Sequence, residues 1–346
     1  MQAIAERLQP VRHSLGARTL VMGVLNTTPD SFYDGGRYTS LDTALARAEQ
    51  MLAEGADILD IGGESTRPGA EPVSEDEEMR RTIPLIEAVA ARYPNAVLSI
   101  DTTKSRVAEL ALQAGACIIN DISGMTFDPR MAEVAAQAGA LVVLMHIQGT
   151  PRTMQQNPHY TDVVAEVRDT LRAHAQRAEQ AGIPRENIWL DPGIGFGKTV
   201  QHNLQLLRHL PTLKSLGYPI LIGTSRKSFI GHLLGGLPPE ERLEGTLATL
   251  ALAVAWGADI VRVHDVQAAV RAVRIADALV RHSPNANDSL SLGRDSTPSD
   301  CDSFPSNRDS TPSDCDSFRL NRDSTPLDRN PFSMDRNQTT IDRKQP

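Results

Sequence analysis

Cysteine is scarce in this chain. Its 346 residues contain three, Cys117, Cys301 and Cys315, which do not make a disulfide framework. Positive charge is also short: 35 Lys and Arg stand against 43 Asp and Glu, a formal net charge of −8. That balance argues against a broadly basic, nucleic-acid-binding surface, while leaving room for a local basic pocket for a small anion. Arg7, Arg12, His13 and Arg18 interrupt the first 30 residues, and no later run is long and apolar enough to span a bilayer. The shortages together predict a soluble protein of the reducing cytoplasm, with no nucleic-acid or membrane partner.

Glutamate is missing altogether from residues 283–346, where Ser, Asp, Arg, Pro, Thr and Asn dominate. Within that stretch RDSTP recurs at 294, 308 and 322, and RDSTPSDCDSF appears twice. So short a polar repeat cannot bury enough apolar surface to offset its ordering entropy, so a disordered C-terminal tail is expected. Cys301 and Cys315 are then copies of one repeat position, without the further ligands a metal site needs. The Ser-Thr-Pro steps leave a phosphorylated interaction segment as the alternative.

A length of 346 residues can be two ordinary domains or one barrel-sized domain. Short, almost continuous apolar runs at 20–25, 57–61, 97–100, 117–120, 141–145, 188–190, 220–222 and 260–263 read as strands buried on both faces. Amphipathic stretches such as 41–53, 75–92 and 163–181 lie between them, and Gly55, Gly115, Gly139, Gly182 and Gly257 stand where helices should end. Eight such units predict an α/β fold, the (β/α)8 TIM barrel. A doubly wound sheet is the alternative, because a strand count does not prove closure.

Polar residues punctuate the strand ends: Asn26, Asp60, Asp101, Asn120 with Asp121, His146, Asp191, the pair Arg226 and Lys227, then Arg262 with His264. One Asp or Asn after a strand is commonly a helix N-cap. The set is not explained that way, since Lys, Arg and His do not cap N-termini, and barrel enzymes gather their active sites at this face. One decoy stands apart. Residues 193–199 look like a phosphate-binding loop, but the Walker spacing needs Gly at the position of Pro192.

The motifs at these strand ends are specific. Residues 26–32 read NTTPDSF, 60–69 read DIGGESTRPG, 120–124 read NDISG, 191–198 read DPGIGFGK and 223–227 read GTSRK. With Ser99-Ile100-Asp101-Thr102, Met145-His146 and Arg262-Val263-His264-Asp265, they resemble the signatures of the dihydropteroate synthase family in the family's order, over about residues 18–281. The tail is the one feature outside that pattern. The resemblance implies condensation of 6-hydroxymethyl-7,8-dihydropterin diphosphate with p-aminobenzoate, with release of pyrophosphate, in competition with sulfonamides. It implies Mg2+ as cofactor, held by Asn26, and a homodimer formed through outer helices. Asp101, Asn120, Asp191 and Lys227 would hold the pterin, with Met145 and Phe196 lining its slot. Arg67, Arg262 and His264 would hold the diphosphate, while Thr66, Pro68 and Ser225 would contact the aminobenzoate. Asp101, Lys227 and Arg67 are the expected catalytic residues, Asp101 by stabilising a pterin methylene cation in an SN1-like route. Loops 27–39 and 64–74 have the composition of lids. A non-catalytic pterin-binding paralogue, a pterin-dependent methyltransferase domain and a Schiff-base aldolase using Lys227 are the competing readings.

Overall fold

The computed structural model describes residues 2–27 and 37–281. The repeat tail, the expected boundary at 282/283 and residues 28–36 of the first loop lie outside the described residues.

The strands are β1 Leu20–Asn26, β2 Ile58–Gly62, β3 Val97–Asp101, β4 Ile118–Asp121, β5 Leu141–Met145, β6 Ile188–Asp191, β7 Leu221–Ile222 and β8 Ile260–Val263. Their pairing order is β6-β5-β4-β3-β2-β1-β8-β7, and each pair is parallel. The two free edges meet through a bridge between Leu190 and Ile220, where the Leu190 N–H donates to the Pro219 carbonyl at 2.9 Å. Strands thus follow one another in chain order around a ring, with no reversal of order as in a doubly wound sheet. The fold is a (β/α)8 barrel, closed through its short seventh strand.

The helices are α1 Gln2–Arg7, α2 Gln9–Ser14, α3 Arg37–Ala53, α4 Glu75–Arg92, α5 Ser105–Ala114, α6 Met131–Ala138, α7 Val163–Gln180, α8 Val200–Arg208, α9 Leu210–Lys214, α10 Ser228–Leu233, α11 Leu243–Ala255 and α12 Val266–Val280. All five glycines expected at helix exits have positive φ, the backbone region that favours glycine.

Alternation along the strands decides which side chains face the site. Leu20, Met22, Ile58, Val97, Ile118, Leu141, Val143, Trp189, Leu221 and Ile260 form one buried cluster in the barrel interior. Their neighbours Val21, Leu59, Leu98, Ile119, Val142, Leu190, Ile222 and Val261 belong to a second cluster shared with the helices. The N-terminal segment, which carries none of the strand-helix signals, also has a packing role. Leu8, between α1 and α2, and Val11 of α2 join the interior cluster at the end where the strands begin, so they stopper the barrel there. Arg7 donates to the Gly115 carbonyl at 2.6 Å and Arg12 to Asn187 Oδ1 at 2.5 Å, fastening the stopper to the chain just before β4 and β6.

Candidate active site

At the opposite end the interior positions turn polar. In phase with Ile58 and Val97, the inward residues further along are Asp60 on β2 and Ser99 and Asp101 on β3. The same phase brings in Asn120 on β4, Met145 on β5, Asp191 on β6 and Arg262 on β8. They surround the floor of a cavity that opens to solvent. Thr66, Asp101, Asn120, Met145, Asp191, Phe196, Ser225, Lys227, Arg262 and His264 line it, together with the apolar Val24, Ile122 and Ile194 and the backbone of Gly223.

Three expected site residues stand elsewhere. Arg67 and Pro68 are exposed on the loop after β2, and Asn26 is half-buried at the end of β1; none of the three is in the cavity wall. Several of the polar strand-end residues do not converge on the cavity either. Asp121, next to Asn120, faces the opposite side of β4 and accepts from the Ser123 N–H and hydroxyl, both at 2.7 Å, and from the Met125 N–H at 3.1 Å. His146 turns to Lys198, with Nδ1 3.0 Å from Nζ. Arg226 and Lys227 part company because Arg226 has φ +57°, a left-handed backbone that is uncommon for a side-chain-bearing residue. The Arg226 guanidinium turns to Asp265 at 2.9 and 2.5 Å, and Lys227 turns into the cavity.

Arg262 organises the charges. Its Nε donates to Asp60 Oδ2 and its Nη2 to Asp101 Oδ2, both at 2.6 Å. Asp60 also accepts from Asn120 Nδ2 at 3.0 Å. A carboxylate cannot donate, so that bond turns the Asn120 amide nitrogen away from the opening and leaves its Oδ1 as the atom free to accept. Asp60 is fully buried and, among the described residues, reaches the site through Arg262 and Asn120. It was legible among the strand-end polar residues but has no place in the family-implied ligand set. The available signal is its phase with Ile58, because an acid on the inner face of a barrel strand requires a cation.

Burial raises the Asp101 carboxyl above its ordinary range, with Arg262 opposing the shift. Asp191 is raised by burial too, against the Gly193 N–H it accepts at 2.7 Å and the charges of Lys227 and Arg262. Burial pushes Lys227 down to about 8, Asp191 opposing it, and its ammonium stands 4.0 Å from the centre of the Phe196 ring, a cation–π contact. His264 is pushed down to about 4 by burial and by the cations Arg262, Arg226 and Lys227, so at neutral pH it is an uncharged hydrogen-bonding group. Ser225 Oγ accepts from the His264 backbone N–H at 3.2 Å and lies 2.9 Å from His264 Nδ1. If the hydroxyl proton goes to Nδ1, the imidazole proton sits on Nε2, available to an anion.

The loop after β6 closes one wall. Gly193 has φ +68°, and a Cβ there would lie 1.9 Å from the His146 carbonyl oxygen, so only glycine permits this approach. Lys198, the residue of the false phosphate-loop pattern, is buried and donates to the Phe196 carbonyl at 2.9 Å. It holds the loop that carries Phe196 and does not enter the cavity wall.

Comparison with known proteins agrees with this geometry. The family described as "Pterin binding enzyme" matches residues 22–264. The dihydropteroate synthase of Synechocystis is 55% identical over 266 residues, 77% of this chain and 92% of that protein. That of Bacillus subtilis is 50% identical over 272 residues, 79% of this chain and 92% of that protein. Among solved structures, the Yersinia pestis dihydropteroate synthase with a sulfonamide drug complex aligns with TM-score 0.72 at 47% identity, covering 77% of this chain and 96% of that one. The Xanthomonas albilineans dihydropteroate synthase in complex with 7,8-dihydropteroate aligns with TM-score 0.69 at 44% identity, covering 76% and 94%.

Proposed function

The chain belongs to the dihydropteroate synthase family, and we propose that its cavity condenses 6-hydroxymethyl-7,8-dihydropterin diphosphate with p-aminobenzoate in two stages, departure first and attack second. One observation carries this reading: acceptors from Asp101, Asn120 and Asp191 meet the donors Lys227 and Arg262 around one cavity. Asp191 and the Asn120 carbonyl suit the N–H groups of a pterin edge, and Lys227 suits its carbonyl and N5. Met145 and Phe196 supply the flat walls.

In the first stage the methylene C–O bond breaks and its electron pair leaves with pyrophosphate. The cation left on the methylene is delocalised into the ring, and the Asp101 carboxylate opposes its charge. Arg262, whose Nη1 makes neither of the two carboxylate bonds, and His264 Nε2–H are the groups offered to the leaving anion. In the second stage the aniline nitrogen lone pair forms the C–N bond, and the nitrogen then loses a proton to give 7,8-dihydropteroate. No side-chain nucleophile is used. If departure limits the rate, ring-substituted p-aminobenzoates of different basicity should give nearly the same maximal rate under saturation. A maximal rate that climbs steeply with amine basicity would mean that attack is limiting and would remove the two-stage order.

Magnesium belongs to the same proposal. Asn26 Oδ1 and Asp101 Oδ2 both lie close to Gly62, each 3.7 Å from where a Cβ on it would sit, so two oxygens stand near the end of β2. Among the described residues there is no group of three or more His, Cys, Asp or Glu able to hold a metal. Such a donor set suits a hard cation that keeps waters and takes its remaining oxygens from a diphosphate. Asn26 would hold it, and its charge would stabilise the leaving group.

The reading extends to a homodimer in the cytoplasm. Leu252 on α11 and Ile275 and Leu279 on α12 are exposed at 49%, 66% and 81%, and the two helices pack side by side. Exposed apolar side chains on two adjacent helices suit a partner copy. Light scattering should give twice the chain mass of 37.6 kDa, and a monomer throughout the micromolar range would contradict the dimer.

A further inference from the structure

The loop that follows β2 carries Thr66, Arg67 and Pro68, and its two ends are joined by one side chain. Glu64 Oε2 accepts the Val73 N–H at 3.2 Å, so the carboxylate closes residues 64–73 at the neck. The same oxygen accepts from Lys104 Nζ, which follows β3 three residues after Asp101. Lys104 also donates to Glu78 on α4, whose side chain is 1% exposed. From the other side, Arg81 on α4 donates to the Gly63 carbonyl at 2.8 Å. The neck is therefore fixed to two elements of the barrel wall.

The tip is held far more lightly. It has a turn bond from the Ala70 N–H to the Arg67 carbonyl at 3.0 Å and a link from the Gly69 N–H to the Pro151 carbonyl at 3.2 Å. The Glu71–Arg152 pair at 3.8 Å is exposed on both sides and is of the kind that contributes little. A rigid neck and a light tip make a hinged unit. Thr66, two residues from the neck, reaches the cavity wall while Arg67 and Pro68 stay outside it.

We propose that Glu64, hydrogen-bonded to Lys104, is the clasp of this loop, and that the two are positioning residues for p-aminobenzoate but not for the pterin. The distinction follows from placement. Asp101, Asn120 and Asp191 sit on strands and Lys227 just beyond β7, so none of them needs the clasp, whereas Thr66, Arg67 and Pro68 are carried by the loop whose neck Glu64 closes. The inference rests on the reading that assigns those three to the aminobenzoate side of the site.

Calorimetry on the full chain with magnesium, pyrophosphate and 6-hydroxymethylpterin tests it. Glu64→Ala leaves the Lys104–Glu78 pair intact. It should weaken p-aminobenzoate binding roughly tenfold or more, the scale of one lost charged hydrogen bond. Binding of 6-hydroxymethylpterin should stay within about twofold by the same scale. In turnover, KM for p-aminobenzoate should rise by more than kcat falls. Glu64→Gln keeps an acceptor for Val73 and should recover most of the affinity. Unchanged p-aminobenzoate binding in Glu64→Ala would overturn the clasp. So would a parallel loss for both ligands that Glu64→Gln does not relieve, because a merely structural role predicts that. Should Glu64→Ala not fold, the double variant Lys104→Met/Glu78→Gln removes the buried pair as a neutral unit and must show the same split between ligands. Thr66→Ala separates the two failures. If it leaves p-aminobenzoate binding intact, the assignment of this wall is wrong; if it weakens binding while Glu64→Ala does not, only the clasp is wrong.

Discussion

Replacing Arg262 with alanine should lower the melting temperature by roughly 10 °C and cut kcat/KM by about a hundredfold to a thousandfold. Its guanidinium is the shared cation of Asp60 and Asp101, each bound at 2.6 Å, and Asp60 is fully buried. Removing one partner of a buried pair typically costs about 3–5 kcal/mol, because the other charge is left without compensation. Here two carboxylates would be left, next to Asn120, whose amide is oriented by one of them. On the proposed roles, the expected loss combines a weakened fold, a misdirected pterin acceptor and a missing donor to the leaving group. Arg262→Lys keeps the charge but not the planar fork, so it should recover stability more than activity. Differential scanning calorimetry and steady-state kinetics on both variants check this. An Arg262→Ala protein that melts within two or so degrees of the parent would show that the fold does not depend on this residue to compensate Asp60 and Asp101.

Binding of p-aminobenzoate, or of a sulfonamide, should be weak in the empty enzyme and stronger by roughly ten- to a hundredfold once magnesium, pyrophosphate and a pterin are bound. In the structure, Thr66 and Ser225 line the cavity while Arg67 and Pro68 are exposed at the loop tip, so the wall proposed for the aminobenzoate is incomplete. A ligand whose competent state is seldom populated binds weakly until another ligand favours that state. Bound pyrophosphate offers Arg67 a doubly accepting partner, and drawing Arg67 in would bring Pro68 with it. Arg67→Ala should abolish the enhancement while pterin binding changes little. Equal p-aminobenzoate affinity with and without the other ligands would mean that the pocket is preformed, and closure would have no role.

The barrel was legible because parallel strands covered on both faces leave nearly continuous apolar runs; strand boundaries such as 97–100 against Val97–Asp101 differ by one residue. Closure was not, because it depends on a two-residue β7 and a bridge at Leu190, and neither leaves a mark in hydropathy. Strand-end position located the site but did not say which way each side chain faces. Asn120 and Asp121 are neighbours on opposite faces, and Arg226 and Lys227 diverge through a left-handed residue that no side-chain pattern announces. Asp60 shows the converse: its phase was readable, but its partners, 60 and 202 residues away along the chain, are brought to it only by the closed barrel. Arg67 and Pro68 carry motif signals whose meaning depends on a loop conformation, and a motif does not specify that.

Turnover tests the central claim most directly. The full chain, given magnesium, 6-hydroxymethyl-7,8-dihydropterin diphosphate and p-aminobenzoate, should release pyrophosphate and form 7,8-dihydropteroate one for one, and Asp191→Ala should suppress both together. Absence of product with both substrates saturating, or pyrophosphate release with no matching dihydropteroate, would contradict it.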